Sequence, residues 1–318
     1  MLIDTKEIQK LVRDGLVSEK TFSDYPDLRM YKYKNKVFFK NLWNESEMLR
    51  ECRGLVLDTS GNIVALPFKK VFNYKENGTT IRKNSVVKTV EKKNGFFAAC
   101  SLYKDEVLVS TTGSLDSDFT QYAKEMLNLD AVRDGLIALQ HEMGWKGTMM
   151  FEICHPKDPH IVEEELGAYL IGFRLHGSGM LVPEEILDRM AIASNTVYGE
   201  GTFLRPHHFY TTFGNVLKHL KGCKDEGYMV YKKGSEKALK LKSPHYLSKK
   251  FIMRMGEGKI GAMFKNTESF VKGLDEELVG IVYFITNNFD LESWSSLNDQ
   301  QRRKEIEQFF SSGAFRPS

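Results

Sequence analysis

Residues 85–100 read Ser-Val-Val-Lys-Thr-Val-Glu-Lys-Lys-Asn-Gly-Phe-Phe-Ala-Ala-Cys. Ser85–Val90 has the β-branched content of a strand, and Phe96–Cys100 is a second apolar run. Lys92-Lys93-Asn94-Gly95 lies between them as a turn, where a glycine lets backbone approach a ligand closely. A lysine at a strand-to-turn junction, three residues before that glycine, reads as a nucleophile toward a nucleotide phosphate. A solvated Lys-Lys hairpin turn accounts for the same four residues, so they must be weighed with the rest of the chain.

The 318 residues suit one large domain and a smaller one. No uninterrupted apolar span is long enough for a membrane helix, and Met1–Gly15 is too polar for a secretory leader. The four cysteines, Cys52, Cys100, Cys154 and Cys223, are scattered without a CxxC pair. This argues against a disulfide scaffold or zinc cluster and fits a reducing cytoplasm. The net charge is +3, so a polyanion site must come from local clustering.

In chain order, residues 4–16 read as an amphipathic helix and Tyr31–Phe39 as a strand. Glu51–Asp58 is a strand entered through Arg53-Gly54, turning at residues 59–62 into Ile63–Pro67. Phe96–Tyr103 and Glu106–Thr111 form a hairpin, and Asp118–Met143 is one helix or two with a break near Asp134-Gly135. Thr148–Cys154 is an apolar strand holding one acid, Glu152, and Ala168–Leu175 follows as a strand. Pro183–Ala193 is helical, with Glu184 and Glu185 suited to its first turn. Asp225–Lys232 and Ala238–Lys242 are strands, the second with strict alternation of Lys240 and Lys242 against Leu239 and Leu241. Beyond Ser243 the periodicity is helical, over Lys249–Met255, Ser269–Asn287 and Asn298–Phe310. The acidic run Asp275-Glu276-Glu277 suits a helix start better than a metal site. The expected architecture is α+β: residues 1–243 as mainly antiparallel sheets flanked by helices, then an all-helical domain over 244–318.

A nucleophilic lysine must lose its proton, and it needs cations around the phosphates, one or two carboxylates and a dry slot for a base. Separate segments supply Arg53, Lys70, Lys240 and Lys242 as cations and Glu152 and Glu226 as carboxylates. Each has a plainer reading. Glu226-Gly227 serves equally as a turn, the Lys240/Lys242 alternation as a half-exposed strand, and Glu152 as a paired structural acid. Their order is more specific than any one of them.

Arg53-Gly54, Lys92-x-x-Gly95, Phe151-Glu152-Ile153, Glu226-Gly227-Tyr228 and Lys240-x-Lys242 resemble the lysine-adenylating nucleotidyltransferases, the polynucleotide ligases and mRNA capping enzymes. With Glu51-Cys52-Arg53-Gly54, Lys70-Val71-Phe72-Asn73 and Tyr246 after Lys240-Leu241-Lys242-Ser243, the chain is similar over residues 50–247 to the phage RNA ligase 1 family of ATP-dependent tRNA-repair ligases. The resemblance implies the nucleotidyltransferase fold and a helical tail. It implies that Lys92 forms a lysyl-AMP with ATP, that AMP passes to an RNA 5′-phosphate, and that a 3′-hydroxyl displaces it. It assigns Arg53, Lys70, Phe72, Glu91 and Gly95 to the nucleotide, Glu152 to the ribose, Glu226 to a divalent metal, Lys240 and Lys242 to the α-phosphate, and Tyr246 to RNA. Magnesium, or manganese in its place, is the implied ion. The implied partners are RNAs with 5′-phosphate and 3′-hydroxyl ends, above all nicked tRNA anticodon loops, and an end-healing kinase/phosphatase. The implied setting is a monomer in a phage-infected cytoplasm, with no membrane.

Two positions depart from the family pattern. Asn94 stands where Asp is commonest, so a shifted metal or pH dependence is expected. Thr112 precedes Gly113-Ser114 where Lys is frequent. A GTP-dependent capping guanylyltransferase or a DNA ligase is the competing reading. Those enzymes carry a strand-rich OB barrel where this chain is helical. A binding module without catalysis is the third. The basic run Lys232, Lys233, Lys237, His245, Lys249, Lys250 and Arg254 leads into the tail and makes it a candidate for RNA selection, and a solvated surface accounts for such a run equally well. Deleting residues 256–318 is expected to spare self-adenylation and impair tRNA sealing.

Overall fold

The computed structural model describes residues 3–158, 160–234, 237–274 and 278–311. Its strands are β1 (Val17–Lys20), β2 (Leu28–Tyr33), β3 (Arg53–Asp58), β4 (Ile63–Ala65), β5 (Val86–Glu91), β6 (Phe96–Tyr103), β7 (Glu106–Ser110), β8 (Gly147–Cys154), β9 (Gly167–Leu175), β10 (His208–Thr212), β11 (Gly227–Lys232) and β12 (Ala238–Lys242). They pair antiparallel into three four-stranded sheets, β1-β2-β3-β4, β7-β6-β8-β9 and β10-β5-β11-β12. The fold is α+β, as the sequence leads one to expect. No described helix is long and apolar enough to cross a membrane, and all four cysteines are free and buried.

The chain forms two compact units, Met1–Lys70 with Gly95–Pro159 and Glu164–Pro206, and Val71–Asn94 with His160–Glu163 and His207–Ser318. The first unit holds the sheets of β1–β4 and β6–β9. Helices Asp118–Met126, Leu129–Met143 and Glu184–Tyr198 cover the second of these, burying Ala123, Leu136 and Leu187 against Phe151, Leu170 and Phe173. A buried ion pair ties this unit together. Arg174 on β9 donates to both carboxylate oxygens of Glu51, at 2.7 and 3.0 Å, and to the carbonyls of Pro67 and Gly179. Glu184 likewise pairs with Arg205 at 2.5 Å, so it is buried and salt-bridged as well as lying in a first helical turn.

The second unit contains the sheet of β5, β10, β11 and β12. Helix Phe213–Gly222 covers one face, packing Phe213 and Val216 on Val87, Val230, Leu239 and Leu241. After Lys242 the described residues form helices Pro244–Arg254, Glu257–Lys265, Thr267–Val271, Val279–Asn288, Leu291–Ser296 and Asp299–Ser311. They build a second core around Leu247, Phe251, Met263, Ile281, Ile285 and Trp294. No strand lies among the described residues of this segment, so it is no OB barrel. Asp275-Glu276-Glu277 lies outside the described residues.

Two expectations are corrected. The strand read over Tyr31–Phe39 ends at Tyr33, and Asn35–Phe39 is a short helix. It buries the adjacent residues Val37 and Phe38, which strict strand alternation would place on opposite faces. The break in Asp118–Met143 falls at Leu127-Asn128, because Leu127 is extended and the Asn128 side chain accepts from the Ala131 amide as an N-cap. Gly135 instead sits inside the second helix, where a Cβ would lie 3.0 Å from the Met149 methyl. Strands β1 and β10 and helix Phe213–Gly222 were not foreseen.

Candidate active site

Lys92 follows β5 directly, and its amide donates to the Gly227 carbonyl, which docks the motif beside the start of β11. Its ammonium lies 2.9 Å from Glu226 Oε2. The other oxygen of Glu226 is 3.4 Å from the Lys242 ammonium. The carboxylate is 3% exposed, against 20% for Lys92 and 10% for Lys242, so two cations share one nearly dry anion. Gly227 makes the geometry possible: its φ is +135°, and a Cβ there would sit 2.0 Å from the Leu241 carbonyl oxygen. That close approach holds β11 against β12 with Gly227 opposite Lys242.

Lys240 and Lys242 project from one face of β12, while Leu239 and Leu241 are buried on the other. The Lys240 amide donates to Phe72, and its carbonyl accepts from Tyr74, so residues 72–74 brace this strand. The Glu91 carboxylate lies 3.6 Å from His207 Nδ1. Ser243 caps helix Pro244–Arg254 through the Tyr246 amide. Tyr246 itself is 4% exposed in the tail core, its ring beneath the ammonium groups of Lys242 and Lys250 at 5.2 and 5.9 Å.

Asn94 is buried, and its side-chain oxygen accepts from the backbone amides of Ile161 and Val162 at 2.8 and 3.1 Å. Its backbone carbonyl lies 2.7 Å from His160 Nδ1. Val162 packs into the tail core with Leu247 and Phe251. The residue that departs from the family pattern therefore ties the lysine motif to the segment that anchors the C-terminal helices.

The chain enters the first unit at Gly95. The Gly95 amide donates to Glu152 Oε1 at 3.3 Å, and a Cβ at Gly95 would lie 2.2 Å from the Ile153 carbonyl oxygen. Here glycine serves a close approach to the neighbouring strand β8. Glu152 shares a register row with Phe97, whose ring lies 5.5 Å from the Arg53 guanidinium carbon and 6.2 Å from the Phe68 ring. Arg53, Glu152 and two half-exposed phenylalanines thus gather on one part of this unit, an arrangement fit for a flat base and its ribose. Phe68 and Phe97 were not singled out as site residues. Their only sequence signals were a place in the aromatic-basic run Phe68–Asn73 for Phe68 and in the apolar run Phe96–Cys100 for Phe97. The buried Lys70 has its ammonium 5.0 Å from the Trp43 ring, and its amide donates to Arg50. At the turn where Thr112 replaces lysine, Lys20 donates to Ser114 at 2.9 Å, so a cation reaches it from another strand.

No group of three or more His, Cys, Asp or Glu able to hold a metal is present among the described residues. Magnesium commonly binds through one or two carboxylates plus substrate phosphates and water. Glu226 is a buried carboxylate beside Lys92, and both of its oxygens face ammonium groups, so it could join a divalent ion only by releasing one of them.

No curated protein sequence matches the chain. Among solved structures, an archaeal ATP-dependent RNA ligase superposes with a TM-score of 0.57 at 14% identity, covering 99% of this chain and 79% of its own. A putative ATP-dependent DNA ligase from Aquifex aeolicus gives 0.57 at 10% identity, covering 98% and 78%. These likenesses establish the ligase nucleotidyltransferase fold. A family model described as RNA ligase matches residues 51–248, more than half of the chain. The chain belongs to this RNA ligase family and is a ligase enzyme.

Proposed function

We propose that the protein is an ATP-dependent RNA ligase that joins 5′-phosphate and 3′-hydroxyl ends through a lysyl-AMP on Lys92. The observation that carries this reading is Lys92 at the end of β5, held 2.9 Å from a buried Glu226 that also holds Lys242. The Lys92 amine, having lost its proton, attacks the α-phosphorus of ATP. A P–N bond forms, and the bond to pyrophosphate breaks. An RNA 5′-phosphate oxygen then takes the adenylyl group, releasing the amine. A 3′-hydroxyl attacks the activated end, and AMP leaves.

Lys240 and Lys242 hold the α-phosphate and offset the negative charge that develops, positioning and electrostatics being the main terms in phosphoryl transfer. Arg53, Lys70, Phe72, Glu91 and Gly95 hold the nucleotide, and Glu152 takes the ribose. A divalent ion, magnesium or manganese, would be held by Glu226 with the phosphates and would neutralise their charge. The natural substrates are nicked tRNA loops delivered by an end-healing kinase/phosphatase. The protein works as a monomer in the cytoplasm of a phage-infected cell. Residues 1–243 perform adenylyl transfer, and residues 244–318, with Tyr246 among them, select RNA.

Incubation with α-labelled ATP or GTP tests the chemistry. A covalent AMP adduct absent in Lys92→Ala is expected. A GMP adduct would make the protein a capping-type guanylyltransferase, and no adduct would make it a binding module.

A further inference from the structure

Where β8 begins and β9 stops, the first unit carries a cleft of about 480 Å³. Gly144, with a φ of +67°, ends helix Leu129–Met143, and the Trp145 amide returns to the Leu139 carbonyl. Trp145 is left half-buried, packed in part on the core of the helix-covered sheet. The His176 amide donates to the Lys146 carbonyl, which holds these two residues side by side. Asn62, Ile63 and Ser178 complete the walls from two further turns. Lys146 is exposed and makes no ion pair among the described residues, and no described carboxylate lines the cleft. Hydrogen bonding fixes the state of His176, which is 8% exposed. Burial, with Lys146 and Arg174 nearby, holds its imidazole well below the ordinary range, so at pH 7 the ring is neutral and carries one N–H. Thr148 Oγ1 accepts from the Leu66 amide at 2.9 Å and lies 2.8 Å from both Ser101 Oγ and His176 Nε2. The buried Ser101 hydroxyl has no other partner among the described residues, so it donates to Thr148. Both acceptor positions of Thr148 are then filled, and its own proton goes to Nε2. The imidazole proton is left on Nδ1, a buried donor without an acceptor among the described residues. A void of about 10 Å³ beside Trp145 and His176 holds one water at most, so any larger acceptor must enter from the cleft.

We propose that this cleft binds a phosphorylated nucleoside, free or as one unit of an RNA strand, at a site separate from the residues gathered around Glu152. Trp145 stacks on the base, the Nδ1–H of His176 meets a base acceptor, and the Lys146 ammonium meets the phosphate. The cleft offers a ring face, a lone donor and a cation, and a flat ring with acceptors and an attached anion answers all three. Its volume lies in the range of small-molecule sites. Lys146 precedes Glu152 by six residues along β8, roughly 20 Å at about 3.3 Å per residue, so one nucleotide does not serve both places. The inference goes beyond the ligase reading and does not depend on lysyl-AMP chemistry.

Tryptophan fluorescence tests the site, because Trp43 and Trp294 are 1% exposed and Trp145 is the half-buried one of the three. The probes are 5′-AMP, adenosine and the trinucleotide pApApA, all without divalent ion. AMP should quench saturably, and the quench should vanish in Trp145→Phe. Lys146→Gln should weaken AMP roughly tenfold and leave adenosine unchanged. In ¹⁵N-histidine spectra assigned through His176→Gln, the His176 proton should sit on Nδ1 and move downfield with AMP. Tighter binding of pApApA than of AMP identifies an RNA strand as the source, and equal binding identifies a free nucleotide. No saturable quench, a quench that survives in Trp145→Phe, equal wild-type affinity for adenosine and AMP, or a His176 proton on Nε2 overturns the proposal. If His176→Gln fails to fold, the fluorescence titrations still decide. Trp145→Phe and Lys146→Gln should form lysyl-AMP at the wild-type rate. A wild type that forms none overturns the ligase chemistry instead, and the fluorescence continues to report on the cleft.

Discussion

Glu226 is the anion between Lys92 and Lys242, and it is nearly dry. Removing a buried partner leaves like charges facing one another without compensation, at a cost of about 3 to 5 kcal/mol. Glu226→Ala should therefore lower stability by that order in chemical denaturation and abolish lysyl-AMP formation. Asn94 contributes in a different way. Its oxygen satisfies two backbone amides, so Asn94→Leu leaves both without an acceptor and should cost about 2 to 4 kcal/mol. Asn94→Asp keeps an oxygen at the clamp and adds a charge. It should retain adenylation with a shifted magnesium and pH profile, and profiles that coincide with wild type would refute that expectation.

Among the elements, β11 and β12 depend on a glycine that packs against backbone. Gly227→Ala forces a Cβ into the Leu241 carbonyl from a left-handed backbone conformation, so the hairpin must part where Glu226 meets Lys242. A loss of at least about 2 kcal/mol and of self-adenylation is expected, read by thermal melting and by the labelled-ATP assay. The C-terminal helices bear on the site as well. Val162 belongs to their core and is held by Asn94, so the tail supports the turn that carries Lys92. Deleting residues 256–318 removes Ile260, Met263, Ile281 and Trp294 from that core and should slow self-adenylation together with sealing. This changes the outcome expected from the helical periodicity alone, and it makes charge substitutions on the tail surface the cleaner probe of RNA selection.

For the molecule as a whole, the first unit contains a pH-sensitive element away from the proposed chemistry. His176 Nε2 lies 2.8 Å from Thr148 Oγ1 in a network with Ser101. Burial, with Lys146 and Arg174 nearby, pushes the His176 imidazole down to about 4 from 6.5. The unfolded chain binds a proton first as pH falls, so stability is full above about 6.5 and declines between 6.5 and 4. The drop from this residue is up to about 3 kcal/mol. In His176→Gln the pH dependence of Tm across that window should flatten. An equally steep profile would assign the acid sensitivity elsewhere. The buried Arg174–Glu51 pair gives a second reading of the same unit: Arg174→Ala should destabilise it by about 3 to 5 kcal/mol.

Local chemistry in the chain was enough for most strands, the helical tail, the Lys92 turn and the Lys240/Lys242 face, because alternation and turn residues act over a few positions. It failed at Asn35–Phe39, where a short helix buries adjacent apolar residues, and at β10, a half-exposed edge strand whose pairing with β5 sets its identity. Partners required the folded chain. Lys92 meets Glu226 from 134 positions away, Asn94 meets Ile161 from 67, and Gly95 meets Glu152 from 57. Nothing in the periodicity of either segment encodes such meetings, since strand register arises from the packing of whole sheets. The Lys-x-x-Gly motif was therefore legible as a motif. That its lysine is held by a buried carboxylate, its asparagine by the strap to the tail and its glycine by the strand beside it was decided by tertiary packing.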